Sequence, residues 1–400
     1  MSLRFSILRN LICLLLVLLP ACNEVNQISN SGFGAFEADI EVLDADTVAI
    51  AWYDTRHSQA EIYLRLLDHR LEPISVEFRL SENNVESYEV DIVALGENIA
   101  ASWYEIDASK HSVVKLGLWN RQGEQLWLKT LTAAGVDARI PVLEVTAQGL
   151  FVAWLESDVA TDSQTTAAAI VGEWIDPAGL SHTGPFKIAA ASINTWNLNV
   201  DIDSSGDSTT VFLAFDAQYE TVASELYLAR ISDRGIEVNR LTDDDGYTSK
   251  YPDIALRDGR LALTWFDNLF GNNEIYLTVR SIADLSSAQV IANLELGATR
   301  ISRSEGDSIG AYLAWNENSL GLAWSDSAGD QHDVYFQQLD VTGNPQSDIR
   351  QLSHTEADSL IPSINSFASG FVLAWNEVTV NAHDAQTNLS RSEIVVALIE

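Results

Sequence analysis

Val48-Ala49-Ile50-Ala51-Trp52-Tyr53-Asp54 is a short apolar run that ends on a tryptophan with an acid close behind it. The pattern recurs at Ile99 to Glu105, Leu150 to Glu156, Val211 to Asp216, Leu261 to Asp267, Leu320 to Asp326 and Phe371 to Glu377. The fourth copy carries Phe215 in the tryptophan place, and its acid, Asp216, comes one residue early. From Trp52 through Trp103, Trp154, Phe215, Trp265, Trp324 and Trp375 the steps are 51, 51, 61, 50, 59 and 51 residues. A period of this size marks a chain built from repeated supersecondary units.

Most units show four short apolar runs with period-two alternation, the signature of β-strands. In the fifth they are Tyr251 to Leu256 (strand a), Leu261 to Trp265 (b), Glu274 to Val279 (c) and Ala288 to Ile291 (d), with a tight turn at Arg257-Asp258-Gly259-Arg260. No helical period is sustained. Four antiparallel strands in about 50 residues form one blade of a β-propeller, so the chain is expected to be all-β, a single seven-bladed propeller spanning 22–400. The repeat aromatic should sit between adjacent blades, with its indole N–H on a backbone partner.

The last unit has strand a at Ile361 to Phe367, b at Phe371 to Trp375 and c at Glu393 to Ile399, and then the chain stops. Its strand d is missing. Glu24-Val25-Asn26-Gln27-Ile28-Ser29-Asn30 copies the strand d of the fourth unit, Glu237-Val238-Asn239-Arg240-Leu241-Thr242-Asp243. Residues 24–30 are therefore expected to pair with 393–399 and close the ring, removing exposed sheet edges.

Residues 1–21 read as an export signal, with Arg4 and Arg9 ahead of the apolar stretch Leu11 to Leu19. Ala21 before Cys22 fits a bacterial lipobox, making Cys22 the lipid-attachment site, and Asn23 points onward to the outer membrane. Two or more acyl chains give stable anchoring. Because strand d would begin beside the anchor, the face carrying the a–b and c–d turns should look at the membrane. Cys13 falls in the signal, so the mature chain has no cysteine pair for a disulfide. The net charge of −34 argues against nucleic acid as a partner.

The acids behind the tryptophans, Asp54, Glu105, Glu156, Asp216, Asp267, Asp326 and Glu377, face a second set opening strand c: Glu61, Glu225, Glu274, Asp333 and Glu393. Like charges across a hairpin repel. Cation binding is one reading, with Asp54, Glu61, Asp267, Glu274, Asp326 and Asp333 as metal candidates and Ca²⁺ as the hard-oxygen choice. The reading we favour is hairpin capping, with Arg56 able to bridge the pair in the first blade. Asp201 to Asp207 resembles a calcium loop but lacks the closing Glu, and its place in the repeat is an a–b turn. Asp243-Asp244-Asp245-Gly246 is a d–a loop. His57, His111, His332 and His383 fall in b–c loops of different blades and do not converge on a metal. Trp196 stands apart, in a d–a loop rather than on a strand.

Arg240-Leu241-Thr242-Asp243-Asp244-Asp245-Gly246, Tyr251-Pro252-Asp253, Asp258-Gly259 and Gly271-Asn272-Asn273-Glu274-Ile275-Tyr276-Leu277 together resemble one TolB-type, WD40-like (PD40-like) propeller repeat. Asp54-Thr55-Arg56 with Glu61-Ile62-Tyr63, and Asp326 with Asp333-Val334-Tyr335, are similar. The resemblance implies a propeller in the cell envelope. It brings no catalytic residues, and the a–b turn lacks the family's Ser-Pro-Asp-Gly.

No nucleophile elbow, phosphate loop or sialidase Asp-box of Ser-x-Asp-x-Gly-x-x-Trp type is present. The expectation is a monomeric, lipid-anchored envelope propeller that binds a protein or a glycan without catalysis or cofactor. The alternative is a polysaccharide hydrolase or lyase using acids and aromatics on the loop face. An exposed Trp196 would favour a glycan, and the enzyme needs a carboxylate pair in a pocket on the central axis.

Overall fold

The computed structural model describes residues 25–399 apart from 82–84, 108, 134, 159–166, 204–208, 287–296, 330 and 380–390. Cys22, the signal and His383 lie outside the described residues. Seven four-stranded antiparallel sheets form the blades of a propeller. The innermost strands, a, are Ala35–Asp44, Glu86–Leu95, Val136–Thr146, Leu198–Asp203, Ser249–Arg257, Ser308–Trp315 and Asp358–Phe367. Neighbouring a strands touch around the whole ring. The one helical element among the described residues is a 3-10 turn at Ile282–Ser286.

Tight hairpins join the strands where the sequence supplies left-handed residues. In blade 5, Asp258 (φ 48°) and Gly259 (φ 70°) occupy the two central positions between Arg257 and Arg260, the twist a two-residue hairpin needs.

Each repeat aromatic fills the gap to the preceding blade. Trp52 is fully buried against Val372, Ile394 and Val396 of blade 7, and Trp103 against Ile62 and Leu64 of blade 1. Phe215 does the same beside Ile170 and Ile188 of blade 3. The indole N–H differs from expectation. In four blades it donates to the repeat's own acid, Trp52 to Asp54, Trp103 to Glu105, Trp154 to Glu156 and Trp375 to Glu377, at 2.7–3.4 Å, whereas Trp324 Nε1 is buried with no partner among the described residues. Residues i and i+2 share one face of a strand, so the acid two places on is the nearest acceptor.

The ring closes as expected. Val25–Gln27 pairs antiparallel with the last strand, Val25 opposite Ala397 and Gln27 opposite Val395, and so supplies the fourth strand of blade 7. Ser29 Oγ then donates to Glu393 Oε2 at 2.5 Å and accepts the Ile394 N–H at 2.8 Å. Glu393 also accepts from the backbone N–H groups of Ser31 and Gly32.

The same device ends strand d in five other blades. An aliphatic residue is followed by a hydroxyl that accepts a strand-c N–H: Ile62 on Ser81, Val114 on Thr132, Leu226 on Thr242, Ile275 on Ser302 and Val334 on Ser353. It corrects the outer strand of blade 5. Residues 288–291 lie outside the described residues, and the strand paired with Glu274–Ser281 is Thr299–Arg300, which runs into Ile301-Ser302.

Strand a carries a β-bulge in six blades. The extra residue is Glu37, Glu89, Ile140, Tyr251, Gly310 or Ile361, each with φ between 51° and 59°. Blade 4 pairs without a break and has no bulge residue. Bulges bend a strand and re-aim its side chains, and here they turn strand a into the channel.

Candidate functional site

The hairpin acids serve the blades. Asp54 lies directly opposite Glu61, Asp267 opposite Glu274, Asp326 opposite Asp333 and Glu377 opposite Glu393. Each has its own donors. Ser249 Oγ reaches Asp267, Ser308 Oγ reaches Asp326 and Ser359 Oγ reaches Glu377 at 2.6–3.0 Å. On strand c, Ser302 and Arg300 hold Glu274, and Ser353 holds Asp333. Arg56 bridges Asp54 and Glu77 rather than Asp54 and Glu61, while Glu61 takes Arg79 at 3.1 Å. The long Arg56 side chain reaches the outer edge of its blade, where Glu77 stands. Among the described residues no group of three His, Cys, Asp or Glu side chains is placed to hold a metal ion.

Asp216 and Asp201 are corrected as well. With its acid one place early, strand b of blade 4 puts Ala217 opposite Glu225 and turns Asp216 to the other face. There Asp216 accepts the N–H groups of Trp196 (2.6 Å) and Tyr251 of blade 5 (3.0 Å). Asp201 lies on strand a, not in a turn, and accepts the Leu256 N–H of blade 5 at 2.5 Å. Asp243 to Gly246 do form a d–a loop, in which Asp244 caps Val222.

Of the residues gathered on the axis, the sequence reading singles out Asp201 and Trp196 and passes over the other acids. A central cavity of about 920 Å³ runs between the a strands. Its side chains stand in three tiers from the b–c/d–a mouth inward. The first is the bulge tier, with Glu37, Glu89 and Tyr251. The second holds Asp39, Asp91, Asp253 and Tyr312. The third holds Glu144 and Asp201, with Glu41 at the same register on strand a of blade 1.

The lower tiers stitch neighbouring blades together. Asp39 accepts from Ile92 N–H (2.9 Å), Asp91 from Leu143 (2.6 Å), Asp253 from Leu313 (2.7 Å) and Glu41 from Ala94 (3.2 Å). Each bond joins strand a of one blade to strand a of the next. Ser363 donates to Asp39, and Asn365 to Glu41, across the seam between blades 7 and 1. Burial outweighs these bonds, raising the Asp253 carboxyl to about 8 and Glu41 to about 7. Asp91 is pushed well up by burial and by Asp39, with which it shares a hydrogen bond.

At the mouth, burial raises Glu37 to about 7. Burial, and then the charge of Glu37, raise Glu89 to about 8, with Arg139 opposing. Burial, then Glu37, lifts the Tyr53 phenol, and burial, then Glu89, lifts Tyr104. A chain of ring contacts through Phe36, Tyr53, Tyr88 and Tyr104, edge-on between Tyr53 and Tyr88, packs across the first two blades. Where blade 4 lacks a bulge residue, Trp196 lines the cavity from the preceding loop, half exposed, with Lys250 Nζ 4.8 Å from its ring centre. Tyr247 and Phe270 are exposed in the neighbouring loops of blade 5. The mouth thus combines carboxyls titrating near neutrality with aromatic surface.

No family model and no curated protein sequence matches the chain. Its fold is shared with solved structures. A protein of unknown function from Dyadobacter fermentans superposes with a TM-score of 0.51 at 9 % identity, covering 94 % of this chain and 98 % of that one. The phage phi92 endosialidase gives 0.52 at 9 %, covering 95 % and 69 %. An α-L-arabinofuranosidase from Fusarium graminearum gives 0.51 at 11 %, covering 77 % and 92 %. The chain is similar to all three in architecture: it is a seven-bladed β-propeller of four-stranded antiparallel blades.

Proposed function

We propose that this propeller recognises a glycan on its b–c/d–a loop face, at the mouth of the central channel, and that it is carried on the bacterial envelope, at the outer membrane, by lipid on Cys22. The observation that carries the glycan reading is Trp196, a tryptophan left half exposed at the rim of an axial cavity. Sugars present flat apolar faces, and an exposed indole offers area with little entropy to lose. At 9–11 % identity the fold neighbours that act on glycans bring only the fold. The fit of Ala21-Cys22 to a lipobox and the resemblance of the repeats to TolB-type ones support the envelope location.

Profiling the purified chain on a glycan array tests this, followed by titration of the best ligand against Trp196→Ala. A loss of about tenfold or more with unchanged thermal stability is expected, since each tenfold is about 1.4 kcal/mol. An array without signal, or a variant that binds equally well, would overturn the reading.

A second reading, glycan hydrolysis, is favoured by Glu37 and Glu89 alone. Two carboxyls held near neutrality in an axial cavity are what a general acid and its partner require. Release of reducing ends that disappears in both Glu37→Gln and Glu89→Gln would establish it.

A further inference from the structure

The channel mouth is acidic and aromatic at once. Seven of the residues lining the described cavity are Asp or Glu and one, Arg257, is basic. Once its acids are ionised, a cleft lined by one sign of charge focuses its field on whatever enters. The lower acids spend that charge on inter-blade N–H groups, but Glu89 only in part. One of its oxygens faces the Ile140 N–H of blade 3. The other, Oε2, is closed off from solvent and has no hydrogen-bond partner among the described residues. Among the described residues no donor offsets the burial of Glu37. A desolvated carboxylate without a partner is costly to keep, so the pair points to a group that arrives from outside.

We propose that the channel mouth binds an organic ammonium group, carried by an amino-bearing glycan, with Glu89 and Glu37 as counter-ions and Tyr251, Tyr312 and Trp196 as walls. The carrier rests on the glycan reading above; the ammonium site does not. Aromatic faces hold a diffuse organic cation, whereas a hard metal ion needs several oxygens in ligand geometry. No such grouping stands among the described residues. Trp196 already carries the Lys250 ammonium over its ring, showing that the wall accepts this chemistry.

The charged groups around the site are Arg139 on strand a of blade 3, Lys250 over Trp196 on strand a of blade 5 and, one tier down, Asp39 and Asp91. The phenols of Tyr53, Tyr104, Tyr251 and Tyr312 complete the surroundings, and all stay neutral below the alkaline range. A cation favours the ionised carboxylates. Binding below about pH 8 should therefore expel protons, and affinity should rise as the pH climbs from about 6 to about 8.

The test is calorimetric titration of the full chain with two tetrasaccharides of the same backbone, one N-trimethylated and permanently cationic, the other N-acetylated, and with choline as a sugar-free cation. The trimethylated oligomer should bind about tenfold tighter or more at about pH 8. Its advantage should shrink at about pH 6, and proton release should be measurable between buffers of different ionisation heat. Glu89→Gln and Glu37→Gln, each checked for a cooperative melting transition no lower than that of the native chain, should erase the preference, the trimethylated oligomer then binding no tighter than the N-acetylated one. Saturable choline binding that Glu89→Gln abolishes, with neither oligomer bound, would keep the ammonium site and remove the glycan reading. Equal affinity for both oligomers, choline binding indifferent to both variants, no binding of any probe, displacement by equimolar Ca²⁺, or cleavage of either oligomer would each overturn the proposal.

Discussion

The indole Nε1 of Trp375 donates to Oε1 of Glu377 at 2.7 Å, inside a contact that joins blade 7 to blade 6. One residue of the repeat fills the gap between blades, and the next on the same face satisfies its only polar atom. Glu377 is held in turn by Ser359 Oγ and Thr355 Oγ1. Trp375→Phe keeps most of the ring but removes the N–H, and should cost about 1–2 kcal/mol. Trp375→Ala also opens a cavity in a fully buried site and should cost about 3–5 kcal/mol. Chemical denaturation of both variants checks the ordering. Equal losses would mean that the packing of the ring adds nothing beyond the hydrogen bond.

Ring closure makes a separate prediction. Ser29 Oγ serves Glu393 as donor and Ile394 as acceptor, so Ser29→Ala strands the Ile394 N–H and takes one of three donors from Glu393. A loss of about 1–3 kcal/mol is expected, and Ser29→Thr should recover most of it. Removing residues 25–32 should do more, because the last strand becomes an open edge that templates association. Light scattering on the truncated chain, against the intact one, reads this out.

The fold was legible because the feature that specifies it repeats. A period near 50 residues, a buried aromatic in each unit and a spare strand at the start led to seven blades and to the partner of Val25–Gln27. The outer strand of blade 5 was misplaced because the apolar run at 288–291 outweighed Ile301-Ser302, whose role depends on a hydroxyl reaching Glu274. The channel was not legible. Asp39-Ile40, Asp91-Ile92 and Asp253-Ile254 do recur at one place in strand a, and aligning them would have found the second tier. A period-two reading cannot show that a bulge turns Glu37 and Glu89 onto the axis, because the bulge shifts the alternation by one residue.

The bulge is itself testable at Gly310, the glycine among six left-handed positions of which the others bear side chains. Its φ is 59°, and the nearest atom to the place a Cβ would take is Tyr312 Cε2 at 3.8 Å, so space is not the obstacle to a side chain there. Gly310→Val should cost about 1–2 kcal/mol through backbone strain, and Gly310→Asn less, since Asn tolerates the left-handed region. Melting curves of the two variants decide between strain and crowding. If Asn is worse than Val, packing and not backbone conformation controls the site.

The acids of the channel predict how stability depends on pH. Burial raises Glu89 to about 8 and Glu37 to about 7 from an ordinary 4.5. The folded chain therefore holds protons that the unfolded chain has already released. A group of this kind contributes fully below the unfolded value, and its contribution disappears as the pH rises through the folded value. Thermal stability in the absence of ligand should fall between about pH 5 and about pH 8.5, and the net charge of −34 adds self-repulsion over the same range. Glu89→Gln is neutral at every pH and should flatten the curve, gaining on the order of 3 kcal/mol over the native chain at the alkaline end once solvent access to the channel is allowed for. Melting temperatures across the range, at fixed and at high salt, check both parts. A flat profile for the native chain, or parallel profiles for the two proteins, would mean that Glu89 is ionised in the fold.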